Sequence, residues 1–226
     1  MSKIGMKMKR IIMAIIFLGA INHFVSAAGF FMEGGLGYNT DQNVGLGFVN
    51  TSKGFYSGVG VGIVFDGVKF KVTFGCNIDF LIHPEISFVR GEEHYQVENM
   101  ADQASLRVMP YVEISRMIKN WLYAGFGMGY GYNNIYFSMR PLLYDADYTS
   151  YQLSTNSFTP SFFLRAYIVA SLYISLNYEV DIITSGEIKR VAGDPMADFA
   201  DILAATDIKG VHHRVRLVFG YVLGFE

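Results

Sequence analysis

The sequence predicts an all-β protein, an eight-stranded antiparallel up-and-down transmembrane β-barrel with short periplasmic turns and long extracellular loops. Three observations predict it. Apolar and polar residues alternate with period two in stretch after stretch, giving each strand one greasy face and one charged or small face. The connections between these stretches alternate long and short, as they do in a barrel whose ends face different compartments. The composition is rich in glycine (24) and aromatics (15%) and holds only 17% charged residues, which points away from a soluble helical protein.

The chain opens with a leader. Lys3, Lys7, Lys9 and Arg10 precede an apolar run, Ile11 to Ile21. That run is too short to cross a bilayer as a helix, which needs about 20 residues. Asn22 to Val25 follow, then the small residues Ser26 and Ala27 before Ala28, so signal cleavage is expected after Ala27 or one residue later. Residues 1–27 are then a signal peptide and 28–226 one barrel domain. The leader carries four of the 18 basic residues and none of the 20 acidic ones, so the mature chain has a net charge of −6. A strongly acidic product is a poor binder of nucleic acid. Cys76 is the single cysteine, which excludes an intrachain disulfide, and it reads as a small hydrophobe.

The first strand is expected over Phe30 to Tyr38, with Met32, Leu36 and Tyr38 on one face and Glu33, Gly35 and Gly37 on the other. A polar loop from Asn39 to Gly54 follows, with a short extension at Val44 to Val49. The second strand is Phe55 to Phe65, and Asp66-Gly67 marks a tight hairpin. The third has the most regular pattern. Val68, Phe70, Val72, Phe74, Cys76, Ile78 and Phe80 alternate with Lys69, Lys71, Thr73, Gly75, Asn77 and Asp79 without exception. From Leu81 to Asp102 the pattern blurs into an acidic loop.

The fourth strand is read over Gln103 to Met117. Pro110 counts against it, because a closed barrel has no free edge to place a proline on. A turn at Lys119-Asn120 leads to the fifth strand, Trp121 to Phe137, where Gly125, Gly127, Gly129 and Gly131 oppose large apolar residues. A loop is expected from Arg140 to Ser157, the sixth strand from Phe158 to Ile168 and the seventh from Leu172 to Ile183. The loop from Thr184 to Gly210 is expected to hold a short helix capped by Asp194 with Pro195 at its first position. The eighth strand, Val211 to Phe225, alternates Val215, Leu217, Phe219, Tyr221, Leu223 and Phe225 with Arg214, Arg216, Val218, Gly220, Val222 and Gly224.

Three features put the greasy face outward. The other face is glycine-rich, aromatics gather toward strand ends, and no charge interrupts the apolar face of the third strand. There an arginine would cost about 2–4 kcal/mol at the bilayer midplane. The charges then lie inside, where they must be paired. Antiparallel order predicts Lys69 beside Glu113, Asp79 beside Arg107, and Glu179 and Asp181 facing Arg214 and Arg216. Glu33 and Arg165 are left without a partner.

This pattern over Gly29 to Glu226 resembles the small eight-stranded outer-membrane barrels of Gram-negative-type bacteria, the OmpA-like, OmpX-like and opacity-type proteins. The resemblance implies an integral outer-membrane location, contact with outer-membrane lipid, and assembly by the barrel-assembly machinery through a terminal Phe. Phe225 supplies that residue, followed here by Glu226. It also implies a non-enzymatic protein whose surface-exposed loops contact an extracellular protein or host ligand, or keep the envelope intact; the paired inward charges are expected to plug the lumen largely. A narrow channel or carrier for small or apolar molecules is the alternative, and a lipid-modifying enzyme the third.

The residues assign no catalytic, cofactor or metal site. The glycine runs at 58–62 and 125–131 sit inside strands and open no helix, so they do not read as phosphate loops. They read as room inside a crowded barrel or as a cavity for an apolar ligand. His212 and His213 point to opposite faces, and His83 and His94 have no ligand spacing.

Overall fold

The alternation builds the wall directly. A computed structural model describes residues 27–39, 43–44, 51–67, 69–90, 93–99, 106–141, 149–193 and 210–225. It contains ten strands: β1 (Ala27–Asn39), β2 (Asn43–Val44), β3 (Thr51–Asp66), β4 (Phe70–Arg90), β5 (Glu93–Asn99), β6 (Leu106–Lys119), β7 (Leu122–Pro141), β8 (Thr149–Tyr167), β9 (Leu172–Ala192) and β10 (Gly210–Phe225). β2 and β5 are short additions near the rim, and the other eight make the barrel. They pair in the order β1, β3, β4, β6, β7, β8, β9, β10, and β10 returns to β1. Every pairing is antiparallel, and closure removes all free edges from the barrel body.

The first strand begins and the last ends at the same rim, where Ala28 faces Phe225. That rim also carries the three short turns. The first covers residues 67–69 and is closed by the Gly67 amide donating to the Phe70 carbonyl at 2.8 Å. It is longer than a two-residue hairpin, so regular pairing begins at Phe70; Val68 lies outside the described residues. The third covers 168–171, where the Ile168 amide donates to the Leu172 carbonyl at 2.8 Å.

Pro110 is tolerated without a bulge. The β6–β7 pairing passes from Val108↔Tyr132 to Tyr111↔Gly129 with its register unchanged. On the other side Pro110 faces Cys76 in full register. Pro160 behaves alike: it faces Met128, while the β8–β9 pairing passes from Phe158↔Ile182 to Ser161↔Glu179. Each proline forfeits its own donor on one side and leaves the neighbouring rungs in place.

At the opposite rim the wall is uneven. β4 runs on to Arg90, β5 bridges β4 and β7, and β7, β8 and β9 stay paired up to Met139↔Thr149 and Ser150↔Ala192. Residues 149–157 and 184–192, expected as loop, are therefore strand. Beyond the bilayer nothing requires an apolar face, so the alternation fades while the hydrogen-bond ladder continues. The expected start of a strand at Gln103, the acidic residues Glu92 and Asp102, the extension beyond Val44, and the helix at Asp194 and Pro195 all lie outside the described residues, as do residues 1–26 of the expected leader.

Outward, Leu36, Val61, Phe74, Met128, Leu164 and Phe219 stand exposed around the barrel. Exposed aromatics stand toward each end of this belt: Tyr38 against Phe55 at 5.2 Å near the upper rim, Phe70 and Tyr221 near the short turns. Inward, the alternate residues are buried and mostly polar. This is the reverse of a water-soluble barrel and the arrangement a lipid-covered one requires.

Candidate functional site: the charged lumen

The lumen is built by the inward residues of all eight barrel strands, and its upper part is organised by one guanidinium. Arg107, on β6, is fully buried. Its Nη1 donates to Asp79 Oδ2 on β4 at 3.1 Å and to Glu179 Oε2 on β9 at 2.9 Å. Its Nη2 donates to Asp181 Oδ1 on β9 at 2.7 Å and to Thr159 Oγ1 on β8 at 3.3 Å. The Thr159 hydroxyl in turn donates to Asp181 Oδ1 at 2.6 Å. β6 and β9 are not neighbours, so these bonds cross the interior and tie opposite walls together.

Two further arginines complete the cluster from β10. Arg214 Nε lies 2.9 Å from Asp181 Oδ2, and its guanidinium carbon stands 5.4 Å from the centre of the Tyr56 ring. Arg216 Nη2 lies 3.6 Å from Asp79 Oδ1. With the Asn77 amide turned to suit both neighbours, it donates to Glu33 Oε1 at 3.2 Å and accepts from Arg216 Nη1 at 2.7 Å. Three guanidiniums thus meet three carboxylates where no charge could remain unpaired without a large cost.

Toward the short turns the interior changes character. Glu113 on β6 accepts from Arg165 Nη2 on β8 at 2.9 Å. Arg165 also lies on two rings, 4.7 Å from Phe163 and 4.6 Å from Tyr173. Glu33 accepts from the Tyr173 hydroxyl at 2.7 Å and the Tyr111 hydroxyl at 3.5 Å. Phe31, Met109 and Tyr111 form an apolar cluster beside them. Glycines admit these rings: a Cβ at Gly220 would collide with Tyr173, and one at Gly125 with Phe163. The space over these glycines is therefore filled by the protein's own side chains.

At the mouth below, Lys71 forms an ion pair with Asp66. Its ammonium lies 5.1 Å from the Tyr123 ring and 5.0 Å from Tyr167. A cavity of about 230 Å³ opens here between Ala28, Val64, Lys71, Tyr167 and Val222.

The structure brings Asp79 to Arg107 and Asp181 to Arg214, and it sends Glu179 to Arg107. The expected Lys69–Glu113 pair is not formed. The turn at 67–69 leaves Lys69 exposed below the strand, and Arg165 holds Glu113 instead. Sequence reasoning left Arg165 and Glu33 without partners because both are satisfied from strands that are not their neighbours. Ala27 starts β1 opposite Asp66, and Ala28 lies between Phe65 and Phe225. Among the described residues no three His, Cys, Asp or Glu side chains gather as a metal site would need.

Compared with known proteins, no family model and no curated sequence matches this chain. Solved structures do. A major outer membrane protein from Thermus thermophilus superposes with a TM-score of 0.52 at 13% identity, covering 87% of this chain and 100% of that one. The fold is that of a small outer-membrane β-barrel. Neisserial surface protein A (NspA) gives a TM-score of 0.48 at 9% identity, covering 88% of this chain and all of its own. OprG from Pseudomonas aeruginosa gives 0.46 at 9%, covering 88% of this chain and 97% of that one. At 13% identity the likeness to the Thermus protein speaks for the barrel and not for the side chains inside it.

Proposed function

We propose that the mature chain, freed of its leader at Ala27 or Ala28, is an integral, non-enzymatic outer-membrane barrel with a lumen closed to ions. Its raised rim presents a surface to extracellular partners. The single observation that carries this reading is the Arg107 hub. It spans the interior from β6 to β4 and β9 with no exposed surface of its own. A hydrated ion would have to part these pairs, and breaking one buried pair costs about 3–5 kcal/mol. Below the hub, the Glu113–Arg165 pair and the rings of Phe163 and Tyr173 occupy the next stretch of the lumen.

The tall wall over β7, β8 and β9 supports the second half of the reading. It carries ordered strand well beyond the apolar belt, with Glu187, Lys189 and Arg190 exposed on β9. Surfaces held rigidly by a scaffold are where binding residues concentrate. Phe225, the last residue of β10, suits delivery to the barrel-assembly machinery, as in the proteins this chain resembles.

Planar-bilayer recording tests the closed lumen. The folded mature chain is expected to give no steady conductance, and Arg107→Ser together with Asp181→Ser is expected to give a small one. Steady ion flow through the unaltered barrel, unchanged by that pair of substitutions, would refute the reading and favour the narrow-channel alternative.

A further inference from the structure

The short-turn rim is not electrically uniform. Lys69, Arg116 and Lys119 are all exposed, and they stand on adjoining elements of this rim. β4 and β6 are neighbours, so the turn at 67–69 lies against the end of β6. There the Met117 amide donates to the Lys69 carbonyl at 3.0 Å. Phe70 sits directly opposite Arg116, whose guanidinium carbon lies 5.9 Å from its ring centre. Lys119 Nζ lies 5.9 Å from the Trp121 ring. Phe70 is half exposed on the outward face of β4, and Trp121 is half exposed at the turn that follows β6.

Among the described residues, no carboxylate forms an ion pair with any of these three cations. The described residues of the two turns and their flanks, 67–70 and 116–123, contain no Asp or Glu. The adjacent Asp66 is already paired with Lys71 at the mouth. The third turn of the same rim, 168–171, is uncharged, as are the described strand ends 27–30 and 220–224. Solvated lysines and arginines that merely snorkel to an interface have no reason to gather on one arc. A mature chain of net charge −6 makes a local excess of three positive charges the more conspicuous.

We propose that this arc is a docking site for the anionic headgroup of a phospholipid in the leaflet that adjoins the short turns. The cations stand at headgroup depth, directly below the apolar belt. Phe70, on the outward face beside Arg116, lies where interfacial aromatics flank acyl chains. Phosphate is drawn to Lys and Arg near a membrane surface, about fivefold in affinity for each cation. The proposal rests on the membrane-spanning reading above.

The test uses the full mature chain in phosphatidylcholine vesicles containing spin-labelled phosphatidylglycerol or spin-labelled phosphatidylcholine. A heat-modifiability gel of the same sample reports whether the barrel has inserted. The unaltered protein is expected to immobilise phosphatidylglycerol at least tenfold more strongly than phosphatidylcholine, and less so in 1 M NaCl. The variant K69Q/R116Q/K119Q is expected to bring the ratio close to one. K189Q, whose cation stands on the opposite rim, is expected to keep it. Equal association of the two lipids with the inserted protein, or a preference that survives the triple substitution, overturns the proposal. If the triple variant fails to insert, the salt dependence of the unaltered protein decides, and a preference indifferent to salt overturns the proposal. Failure of the unaltered chain to insert at all overturns the membrane-spanning reading and this proposal together.

Discussion

The upper and lower halves of the lumen solve one problem in two ways. Each must hold carboxylates and guanidiniums away from water inside a barrel wall. In the upper half charge is met by charge, and three arginines and three carboxylates share one network around Arg107. In the lower half charge is met largely by aromatic groups. Glu33 is held by two phenol hydroxyls, and Arg165 keeps one carboxylate and two ring faces. A network with one hub should fail when the hub is removed. A set of smaller, varied contacts should lose only the contact that is cut.

The largest expected effect tests the hub. Arg107→Met keeps most of the volume but leaves Asp79, Glu179 and Asp181 facing one another across the interior. Loss of a partner from a buried pair costs about 3–5 kcal/mol. Urea unfolding of the lipid-embedded barrel measures it. Adding Glu179→Gln should recover part of the loss, because Asp181 and Asp79 keep Arg214 and Arg216 while Glu179 has no second arginine partner among the described residues, and the double-mutant cycle then gives the coupling. A loss below about 1 kcal/mol for Arg107→Met alone, well under the cost of a stranded buried charge, would show that the hub is not a hub.

Glu113→Gln is the matching cut in the lower half and should cost less. Arg165 would keep the amide oxygen and both rings, and a desolvated cation over an aromatic face is worth about 2 kcal/mol. A net loss of about 1–3 kcal/mol is expected in the same urea measurement. If it equals the Arg107→Met loss, the two halves hold their charges alike and the contrast between them fails.

How much of this was legible beforehand follows the same division. The outer wall, the strand count and the turns could be read because lipid imposes an uninterrupted apolar face on every second residue. Asp79 beside Arg107 is within reach of that logic, since their strands are neighbours. The Arg107–Glu179 and Glu113–Arg165 bonds are not, because alternation says which face a side chain takes and nothing about the far wall. Lys69 was misplaced for a local reason: the turn at 67–69 takes one residue more than Asp66-Gly67 suggests, and the lysine drops out of the lumen. The extensions at 149–157 and 184–192 were hidden because strands outside the bilayer need no apolar face.

A finer cut separates hydrogen bonding from packing in the lower half. Tyr173→Phe removes the hydroxyl that donates to Glu33 at 2.7 Å and leaves the ring under Arg165 in place. Glu33 would retain Tyr111 and Asn77. A loss of about 1.5–3 kcal/mol is expected, the range for one hydrogen bond to a charged group. Tyr173→Leu should lose more, since the ring face over Arg165 goes with the hydroxyl. Equal losses for the two would mean that the ring contributes nothing.

The smallest effect marks where the comparison ends. Lys189 and Glu187 form a 2.6 Å pair on the raised part of β9, both largely exposed. Water already solvates each partner there, and salt screens the attraction, so geometry as close as that of the Arg107–Asp181 bond should carry little stability. Lys189→Gln is expected to leave the urea midpoint of the folded barrel where it was, at low and at high salt. Two ion pairs of nearly equal length would then differ in consequence solely through what surrounds them. A clear drop in the midpoint for Lys189→Gln would mean instead that the raised rim is itself a cooperative part of the barrel, and that the burial of the lumen is not what sets the weight of its charges.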